Sequence, residues 1–203
     1  MKYILTDVEG TTTSISFVHQ TLFPFSRDNL GTYLNEQNIS LDDFEKKLIN
    51  WIETDTKEKI LKDIQGLIWE EGYKNGKILG HVYPDVEAAL KKWSQNGIRL
   101  GVYSSGSIWA QKLIFKYSVA GNLDQYFSDN FDTSIGHKRE VDSYKKIIHQ
   151  LNLPANEILF LSDIKEELDA AQLAGMKTIQ LNREINLPPQ GHIQVSSFDL
   201  INF

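Results

Sequence analysis

Close to the start of the sequence lies the stretch Tyr3-Ile-Leu-Thr-Asp7-Val-Glu9-Gly10-Thr11, in which a short apolar run changes abruptly to acidic and small residues. The run Tyr3–Thr6 predicts a first β-strand, so Asp7 lies at the carboxyl end of that strand. A carboxylate there can attack phosphorus as a nucleophile, and Glu9 can approach the same site. Gly10 permits a tight turn whose backbone N–H groups can point at an anion. Taken alone, an acidic pair after a strand is more often a solvated turn.

From about residue 83 onward, short apolar runs alternate with stretches of helical periodicity, which is the pattern of a β/α fold. The predicted strands are Arg99–Tyr103, Ile158–Leu161 and Lys177–Leu181. Three helices are predicted from apolar residues at helical spacing. The first carries Val86, Ala89, Leu90 and Trp93, the second Val141, Tyr144, Ile148 and Leu151, and the third Leu168, Ala171 and Ala174. Parallel strands joined by helices imply right-handed crossovers and a functional site at the carboxyl ends of the strands.

The segment from about residue 17 to residue 80 has a different character. It carries helical stripes such as Leu41, Phe44, Leu48 and Ile52, with no convincing strand between them. We therefore predict a helical insertion directly after the first strand. Two arrangements fit this pattern equally well: a lid over the carboxyl end of that strand, or ordinary bulk packed at the side of the sheet.

The composition is that of an ordinary globular protein. The chain has 203 residues, of which 41% are hydrophobic and 24% charged, and it contains no cysteine. Without cysteines, a secretory signal or a long apolar segment, we expect a soluble cytoplasmic protein. The formal charge of −6 and the scattered basic residues argue against nucleic-acid binding. An anionic substrate would need a local cation or a metal ion to attract it.

Three further segments place reactive groups near predicted strand ends. Ser104-Ser-Gly-Ser107 offers hydroxyls and backbone amides at a helix N-terminus, which suits either a phosphate site or a simple N-cap. Lys138 lies in a loop, where a lysine can neutralise a carboxylate and phosphate or be merely solvated. Asp163 follows the strand Ile158–Leu161, where it can bind a hard cation with support from Glu167, or cap the next helix.

These segments are chemically interdependent. A phosphate dianion near Asp7 is repelled by roughly 4 kcal/mol per pair of unit charges at about 4 Å and an effective dielectric constant near 20. A Mg²⁺ ion shared by Asp7 and Asp163, with Lys138 on the other side, would offset that repulsion. The coincidence of the four segments therefore predicts phosphoryl transfer more strongly than any one of them.

The motifs together resemble the enolase-phosphatase (acireductone synthase) family of haloacid-dehalogenase-like hydrolases. The core segments that carry the resemblance are Asp7-Val-Glu-Gly-Thr-Thr-Thr13, Tyr103-Ser-Ser-Gly-Ser107, Ala110-Gln-Lys-Leu113, Ile135-Gly-His-Lys138, Ser143-Tyr144, Leu161-Ser-Asp163, Glu167 and Ala174-Gly-Met176. The insertion resembles the family's cap at Phe17-Val18, Thr21-Leu-Phe-Pro24, Gln65-Gly66, Ile68-Trp69 and Gly72-Tyr73. The resemblance runs from about residue 1 to residue 185. Ser14 and Lys59-Ile60 depart from it, because prolines are expected there.

The resemblance implies a doubly wound parallel α/β sheet with a helical cap inserted after the first strand. The implied division is a catalytic core of residues 1–16 and 81–203 and a cap of residues 17–80. It also implies one Mg²⁺ per chain, a monomer, and conversion of 2,3-diketo-5-methylthiopentyl 1-phosphate to acireductone and phosphate. By motif position, the resemblance implies that Asp7 is the nucleophile. The implied metal site consists of Asp7, Glu9 and Asp163. The implied substrate contacts are Ser104, Ser105 and Lys138.

Two assignments stay open at this point. Glu9 can serve as a metal ligand or as the acid and base that protonates the leaving oxygen and activates water. The base for enolisation is not identified, and Glu9, Glu70 and Glu71 are all candidates.

Other functions share parts of this pattern. A phosphatase of the same superfamily that acts on another small phosphate ester would need the same four segments. A dehalogenase has no use for the acidic metal site. A phosphoacceptor receiver module also uses a strand-end aspartate and a lysine, but lacks an insertion of about 60 residues. A scaffold without catalytic activity would not need a competent residue at every reactive position.

Overall fold

A six-stranded parallel sheet forms the centre of the computed structural model, with the strand order β3-β2-β1-β4-β5-β6. The structure describes residues 1–37, 42–56, 58–183 and 191–202. The strands are β1 (Tyr3–Thr6), β2 (Arg99–Tyr103), β3 (Phe127–Phe131), β4 (Ile158–Ser162), β5 (Lys177–Leu181) and β6 (Ile193–Val195). The first strand lies at the centre, with β2 on one side and β4 on the other. This order confirms the predicted α/β class.

The register of the central strands brings their carboxyl ends to one edge. Thr6 lies opposite Val102 of β2 and opposite Leu161 of β4. The residues that follow these three positions therefore emerge side by side, as expected for a parallel sheet whose order reverses around its first strand.

Helices cover both faces of the sheet. The helices of this layer structure are α5 (Val86–Gln95), α6 (Ile108–Lys116), α7 (Val141–Leu151) and α8 (Lys165–Leu173). Helices α5 and α6 share one apolar core with Ile4, whereas α7 and α8 share the other core with Tyr3 and Leu5. The first strand alternates its side chains between the two faces and is buried along its whole length.

The described residues between β1 and α5 are helical. They form α1 (Ile15–Phe17), a π-helical turn (Val18–Leu22), α2 (Phe23–Glu36), α3 (Asp42–Glu53) and α4 (Lys59–Lys74). Ser14, which replaces an expected proline, caps α1 by accepting a hydrogen bond from the Phe17 amide at 3.1 Å. Leu41 of the predicted stripe lies outside the described residues, while Leu48 and Ile52 are buried in a core of this segment. The division at residues 16/17 and 80/81 stays a prediction.

Two strands have no counterpart in the sequence predictions. The third strand has the sequence Phe-Ser-Asp-Asn-Phe. Its three central residues are polar and have low strand propensity, so the sequence does not predict a strand there. Asp129 in this strand accepts hydrogen bonds from Tyr3 and Arg99, both at 3.0 Å, so a tertiary contact compensates for its weak strand propensity. The sixth strand has three residues at the edge of the sheet, which is too short for a periodic signal.

No helix among the described ranges is both long enough and apolar enough to cross a bilayer.

Candidate active site

The predicted nucleophile and the predicted lysine are in direct contact. Lys138 Nζ lies 2.6 Å from Asp7 Oδ1 and 2.7 Å from Glu167 Oε2. The Lys138 side chain is 7% exposed and that of Asp7 is 4% exposed, so water screens this pair little. The sequence predicts that Glu167 supports Asp163, but in the structure the Glu167 carboxylate contacts the lysine, and it also accepts a hydrogen bond from the Ser162 hydroxyl at 2.9 Å.

The loop after β1 holds the Asp7 carboxylate in one orientation. The backbone amide of Val8 donates a hydrogen bond of 2.7 Å to Asp7 Oδ1. The same oxygen faces Lys138, whereas Asp7 Oδ2 has a longer contact of 3.4 Å with the Ser162 hydroxyl. Oδ2 is therefore the less restrained oxygen of the two.

Glycine is required at position 10 for two reasons. Its φ of +73° is in the left-handed region, and a Cβ atom there would lie 2.3 Å from Asp163 Oδ2. The turn after β1 and the carboxylate after β4 are thus in close contact. This contact joins two segments that are far apart in the sequence.

The serine-rich loop after β2 combines a helix cap with contacts to the site. Ser107 is the N-cap of α6, because its hydroxyl accepts a hydrogen bond from the Ala110 amide at 3.2 Å. Ser104 accepts from the Gly106 amide at 3.0 Å and donates to Glu9 Oε2 at 3.2 Å. The helix cap and the contact with the active site are therefore made by different serines of this loop, Ser107 and Ser104.

Ser105 contributes a backbone group to the rim of the site. Its carbonyl oxygen accepts a hydrogen bond of 3.2 Å from Lys62 Nζ on α4. This bond joins the helical segment to the loop after β2. Lys62 is not among the site residues predicted from the sequence.

Burial, and after it the crowding of acidic groups, raises the proton affinity of the carboxyl groups at this site. Burial, followed by the charge of Asp7, raises the pKa of Asp163 to about 7 and that of Glu167 to about 7. The same two causes raise the pKa of Glu9. Burial disfavours the charged form of Lys138, but Asp7 and Glu167 outweigh it and raise the pKa of the lysine. The ammonium group of Lys138 is thus outnumbered by the carboxyl groups of Asp7, Glu9, Asp163 and Glu167.

A divalent cation fits this site. Asp163 Oδ1 is buried and has no hydrogen-bond partner, which is costly for a carboxylate oxygen unless a cation is bound. Asp163 does not cap a helix, since the N-cap of α8 is Ile164. Among the described residues, no three His, Asp or Glu side chains are grouped so that they could hold a metal ion by themselves. Waters, backbone oxygens and phosphate oxygens would supply the other ligands, as is usual for Mg²⁺.

A cavity of about 300 Å³ extends from these groups to the helical segment. Its polar end is lined by all the predicted site residues, namely Asp7, Glu9, Ser104, Ser105, Lys138 and Asp163. Its other walls come largely from the helical segment and include Val18, His19, Leu22, Phe23, Trp51, Lys62, Gln65, Trp69 and Tyr73. Strand ends and helices therefore enclose one space.

One face of α4 supplies several of these walls. Lys62, Gln65, Trp69 and Tyr73 follow each other at helical spacing. That spacing is the signal by which the sequence could have identified them. Glu70 instead forms an ion pair with Lys74 at 2.9 Å, and Glu71 lines a separate small pocket. Neither of these two candidate bases lines the main cavity.

Comparison with known proteins gives a consistent assignment. The model of the haloacid dehalogenase-like hydrolases matches residues 1–175. The chain is 46% identical to enolase-phosphatase E1 of Erwinia tasmaniensis, an alignment that covers 100% of this chain and 97% of the relative. It is 47% identical to enolase-phosphatase E1 of Pseudomonas syringae pv. syringae, again over 100% of this chain and 97% of the relative.

Solved structures show the same fold. The UTR4 protein of Saccharomyces cerevisiae is similar with a TM-score of 0.86 and 32% identity, covering 98% of this chain and 99% of that one. CbbY from Rhodobacter sphaeroides, solved in complex with phosphate, has a TM-score of 0.67 and 16% identity and covers 98% of this chain and 96% of that one. The likeness to CbbY concerns the fold alone.

Proposed function

Because the chain belongs to the enolase-phosphatase E1 family of the haloacid dehalogenase-like hydrolases, we propose that it converts 2,3-diketo-5-methylthiopentyl 1-phosphate to acireductone and phosphate. The reaction belongs to methionine salvage. It has two parts, which are the removal of a proton next to the phosphate ester and the hydrolysis of that ester. Both parts would take place at the polar end of the cavity.

In the hydrolytic part, Asp7 attacks the phosphorus atom and the bond between phosphorus and the ester oxygen breaks. The attacking oxygen is Oδ2, since Oδ1 is held by the Val8 amide and by Lys138. Glu9 donates a proton to the leaving oxygen. It then accepts a proton from the water that hydrolyses the aspartyl-phosphate, so that phosphate leaves and Asp7 is regenerated.

The remaining polar residues bind and orient the phosphate. Lys138 offsets the repulsion between the Asp7 carboxylate and phosphate oxygens, while Glu167 keeps the ammonium group in place from the other side. Ser105 donates a hydrogen bond to a phosphate oxygen, and Ser104 does so by giving up the hydrogen bond that its hydroxyl donates to Glu9 in the free protein. Asp7 and Asp163 would hold Mg²⁺, which would supply the further positive charge that phosphoryl transfer needs, and the Glu9 carboxyl is then used for proton transfer rather than as a metal ligand.

In the enolisation part, a base removes a proton from the carbon between the carbonyl group and the phosphate ester. The electron pair of the broken C–H bond forms a C=C bond, and the negative charge moves to the former carbonyl oxygen to give an enolate. Of the three acids considered for this role, Glu9 lines the cavity and Glu70 and Glu71 do not. We therefore assign the proton abstraction to Glu9. This step precedes its role as an acid, because it leaves Glu9 with the proton that the leaving oxygen requires.

The observation that supports the proposal best is the buried contact of Asp7 with Lys138 beside an Asp163 oxygen that lacks a partner. This arrangement favours an aspartyl-phosphate at Asp7, with the Lys138 ammonium group on one side and a metal ion at Asp163 on the other. We extend the proposal to one Mg²⁺ per chain and to a monomeric, cytoplasmic enzyme.

The test follows enediol absorbance and free phosphate together, with the diketone phosphate as substrate, in the presence and absence of Mg²⁺. We expect both signals with Mg²⁺ and neither at an appreciable rate without it. Asp7→Asn should lower phosphate release by a factor on the order of 10⁴–10⁶, because the nucleophile is lost. Asp43→Asn is the matched control, since Asp43 is fully exposed and should not affect the rate.

Two results would contradict the proposal. Phosphate release without an absorbing enediol would show a phosphatase that does not enolise its substrate. Full activity of Asp7→Asn would exclude the aspartyl-phosphate route.

A further inference from the structure

His81 lies between the two chain connections that lead into and out of the helical segment. The first connection, residues 12–14, runs from the turn after β1 to α1, and the second, residues 80–83, runs from α4 towards α5. His81 Nδ1 accepts a hydrogen bond of 3.1 Å from the Ser14 amide and lies 3.0 Å from the Thr13 hydroxyl oxygen. One ring nitrogen of the second connection therefore holds two residues of the first.

These hydrogen bonds determine the tautomer of His81. A backbone N–H group is always a donor, so Nδ1 carries no proton and the neutral ring has its proton on Nε2. The Thr13 hydroxyl then donates to Nδ1 as well. The ring is partly buried, and its centroid lies 6.0 Å from that of Phe17 and 5.3 Å from that of Tyr83. The aromatic neighbours thus fix the ring, while Nδ1 supplies the polar contact with the first connection.

Thr13 closes the turn that carries Glu9. The Gly10 amide donates to the Thr13 carbonyl at 2.8 Å, and the Thr13 amide donates to the Val8 carbonyl at 3.0 Å. Val8 and Gly10 are the neighbours of Glu9 in the chain, and Thr13 is completely buried. A shift of Thr13 would therefore move the backbone from which the Glu9 side chain projects.

The position of this turn matters for proton transfer. In the free protein the Ser104 hydroxyl donates to Glu9 Oε2 at 3.2 Å, but in the proposed function Ser104 turns to phosphate and gives up this bond. The Glu9 carboxyl group then depends on its turn for its position. Proton transfer requires heavy atoms at hydrogen-bond distance, and a displacement of about 1 Å can lower a rate by a factor on the order of 10².

We propose that His81 is a positioning residue for the proton transfers of Glu9, acting through its hydrogen bond with Thr13. The inference rests on the proposed function, in which Glu9 is the base of enolisation and the acid for the leaving oxygen. His81 acts on the turn and not on the substrate. Because its Nδ1 also binds the Ser14 amide, it fixes the turn relative to the start of the helical segment that encloses the cavity.

Three substitutions separate the acceptor from the ring. His81→Phe keeps the contacts with Phe17 and Tyr83 but removes the acceptor. His81→Asn removes the ring, but its amide oxygen is bonded to Cγ as Nδ1 is and can accept the same hydrogen bonds. His81→Gln is its matched control, since the oxygen lies one bond further from the backbone. We expect His81→Asn to be the most active of the three, whereas packing alone would favour His81→Phe.

The decisive measurement is kcat/KM for the diketone phosphate and for p-nitrophenyl phosphate. His81→Phe should lower the value for the diketone phosphate by about 10-fold to 100-fold, because both enolisation and departure of the ester oxygen use Glu9. The value for p-nitrophenyl phosphate should change little, since its phenol is acidic enough to leave without a proton from the enzyme. A role in stability alone would lower both values alike.

His192→Phe is the matched control for loss of a histidine. His192 Nδ1 also lies at a threonine hydroxyl, that of Thr178 at 2.9 Å, and its Nε2 lies 2.9 Å from Asp169 Oδ1, away from the lining of the cavity. His192→Phe should leave the ratio of the two kcat/KM values at that of the wild type, whatever its effect on the melting temperature.

Thr13→Val tests the same hydrogen bond from its other end and does not depend on the folding of His81→Phe. It should also lower kcat/KM selectively for the diketone phosphate, and to a smaller extent, because the bond between Ser14 and His81 remains. In the double variant the second substitution should add little to the effect of His81→Phe, since the bond is already lost.

Three results would overturn the inference. They are an equal loss of kcat/KM for both substrates in His81→Phe, recovery of activity in His81→Gln but not in His81→Asn, and fully additive effects of His81→Phe and Thr13→Val. Failure of the proposed function would appear differently, as a wild type that forms no enediol from the diketone phosphate.

Discussion

At the scale of single residues, the ammonium group of Lys138 determines whether the acids around it can coexist. Asp7 and Glu167 both lie within 2.7 Å of it, and Glu9 and Asp163 line the same end of the cavity. A phosphate dianion adds further negative charge to this place. Lys138 is therefore a condition for substrate binding as well as a partner of the nucleophile.

Lys138→Met should lower kcat/KM for the phosphate ester by roughly 10²–10³, because an electrostatic contact of the transferring group is lost. The substitution keeps most of the side-chain length, so packing changes little. Steady-state kinetics at saturating Mg²⁺ would measure the effect.

The matched variant is Lys145→Met. Lys145 forms an exposed ion pair with Asp142 at 3.1 Å, so its removal should change neither rate nor stability appreciably. Equal activities of Lys138→Met and Lys145→Met would contradict the role given to the buried lysine.

At the scale of elements, the connection from α4 back to the sheet depends on a close backbone contact. Gly80 donates a hydrogen bond to the Tyr117 carbonyl at 2.8 Å and accepts one from the Val119 amide at 2.9 Å. A Cβ atom on Gly80 would lie 2.0 Å from the Ile114 carbonyl oxygen. Because that oxygen belongs to the backbone of α6, it cannot move aside as a flexible side chain would.

Gly80→Ala should therefore lower the free energy of unfolding by about 1–3 kcal/mol, the usual cost of overpacking. It should also raise KM, since Ile114 of the displaced helix lines the cavity. Urea unfolding and substrate kinetics would test the two effects together.

The same substitution at Gly31 should have the opposite sign. Gly31 lies within α2, and a Cβ atom there would meet only the end of the Glu45 side chain at 2.8 Å. Gly31→Ala should stabilise the protein by about 0.5–1 kcal/mol through helix propensity. A loss of stability in Gly31→Ala similar to that in Gly80→Ala would show that the contact with Ile114 is not the cause.

At the scale of the whole molecule, a buried ion pair joins the C-terminal segment to the start of α5 and to the nucleophile loop. Arg183 donates to Asp85 at 2.7 Å and to the Thr11 carbonyl at 3.0 Å. Asp85 also accepts hydrogen bonds from Ser197 at 3.0 Å and from the Phe198 amide at 2.6 Å. Residues from three distant parts of the sequence meet at this carboxylate.

This contact should make stability depend on acid pH. Burial acts to raise the pKa of Asp85, but the Phe198 amide and Arg183 outweigh it and hold the pKa below the ordinary 3.8. A carboxyl group whose pKa is lowered by folding stabilises the folded state at pH values above its ordinary pKa in the unfolded chain. This stabilisation is lost as the pH falls through the lowered pKa of the folded state.

Asp85→Asn should lower the free energy of unfolding at pH 7 by about 3 kcal/mol, because Arg183 remains buried without its partner. The variant should also lose less stability than the wild type as the pH falls below 4. Urea unfolding at several pH values would measure both. Asp142→Asn, which removes an exposed acid, should match the wild type in both respects. Identical pH profiles of Asp85→Asn and wild type would contradict the assignment.

The pattern of apolar residues was sufficient to predict the central strands and the helices that follow them. The strands β1, β2, β4 and β5 have the predicted positions, to within one residue. The strand β3 was not predicted, because its polar residues are compensated by contacts with Tyr3 and Arg99 that only the folded sheet provides. Local periodicity cannot reveal compensation of that kind.

The groups that follow the strands, namely Asp7, Ser104 and Asp163, can be identified from the order of strands and helices in the chain, since strand direction and register bring strand ends to one edge. The contact of Glu167 with Lys138, and that of Lys62 with the Ser105 carbonyl, depend on how distant segments pack in the folded protein. The physical reason is that strand ends are positioned by backbone hydrogen bonds, which follow chain order. A side chain on a helix face can meet core, solvent or a cavity, and the packing of distant segments selects among them.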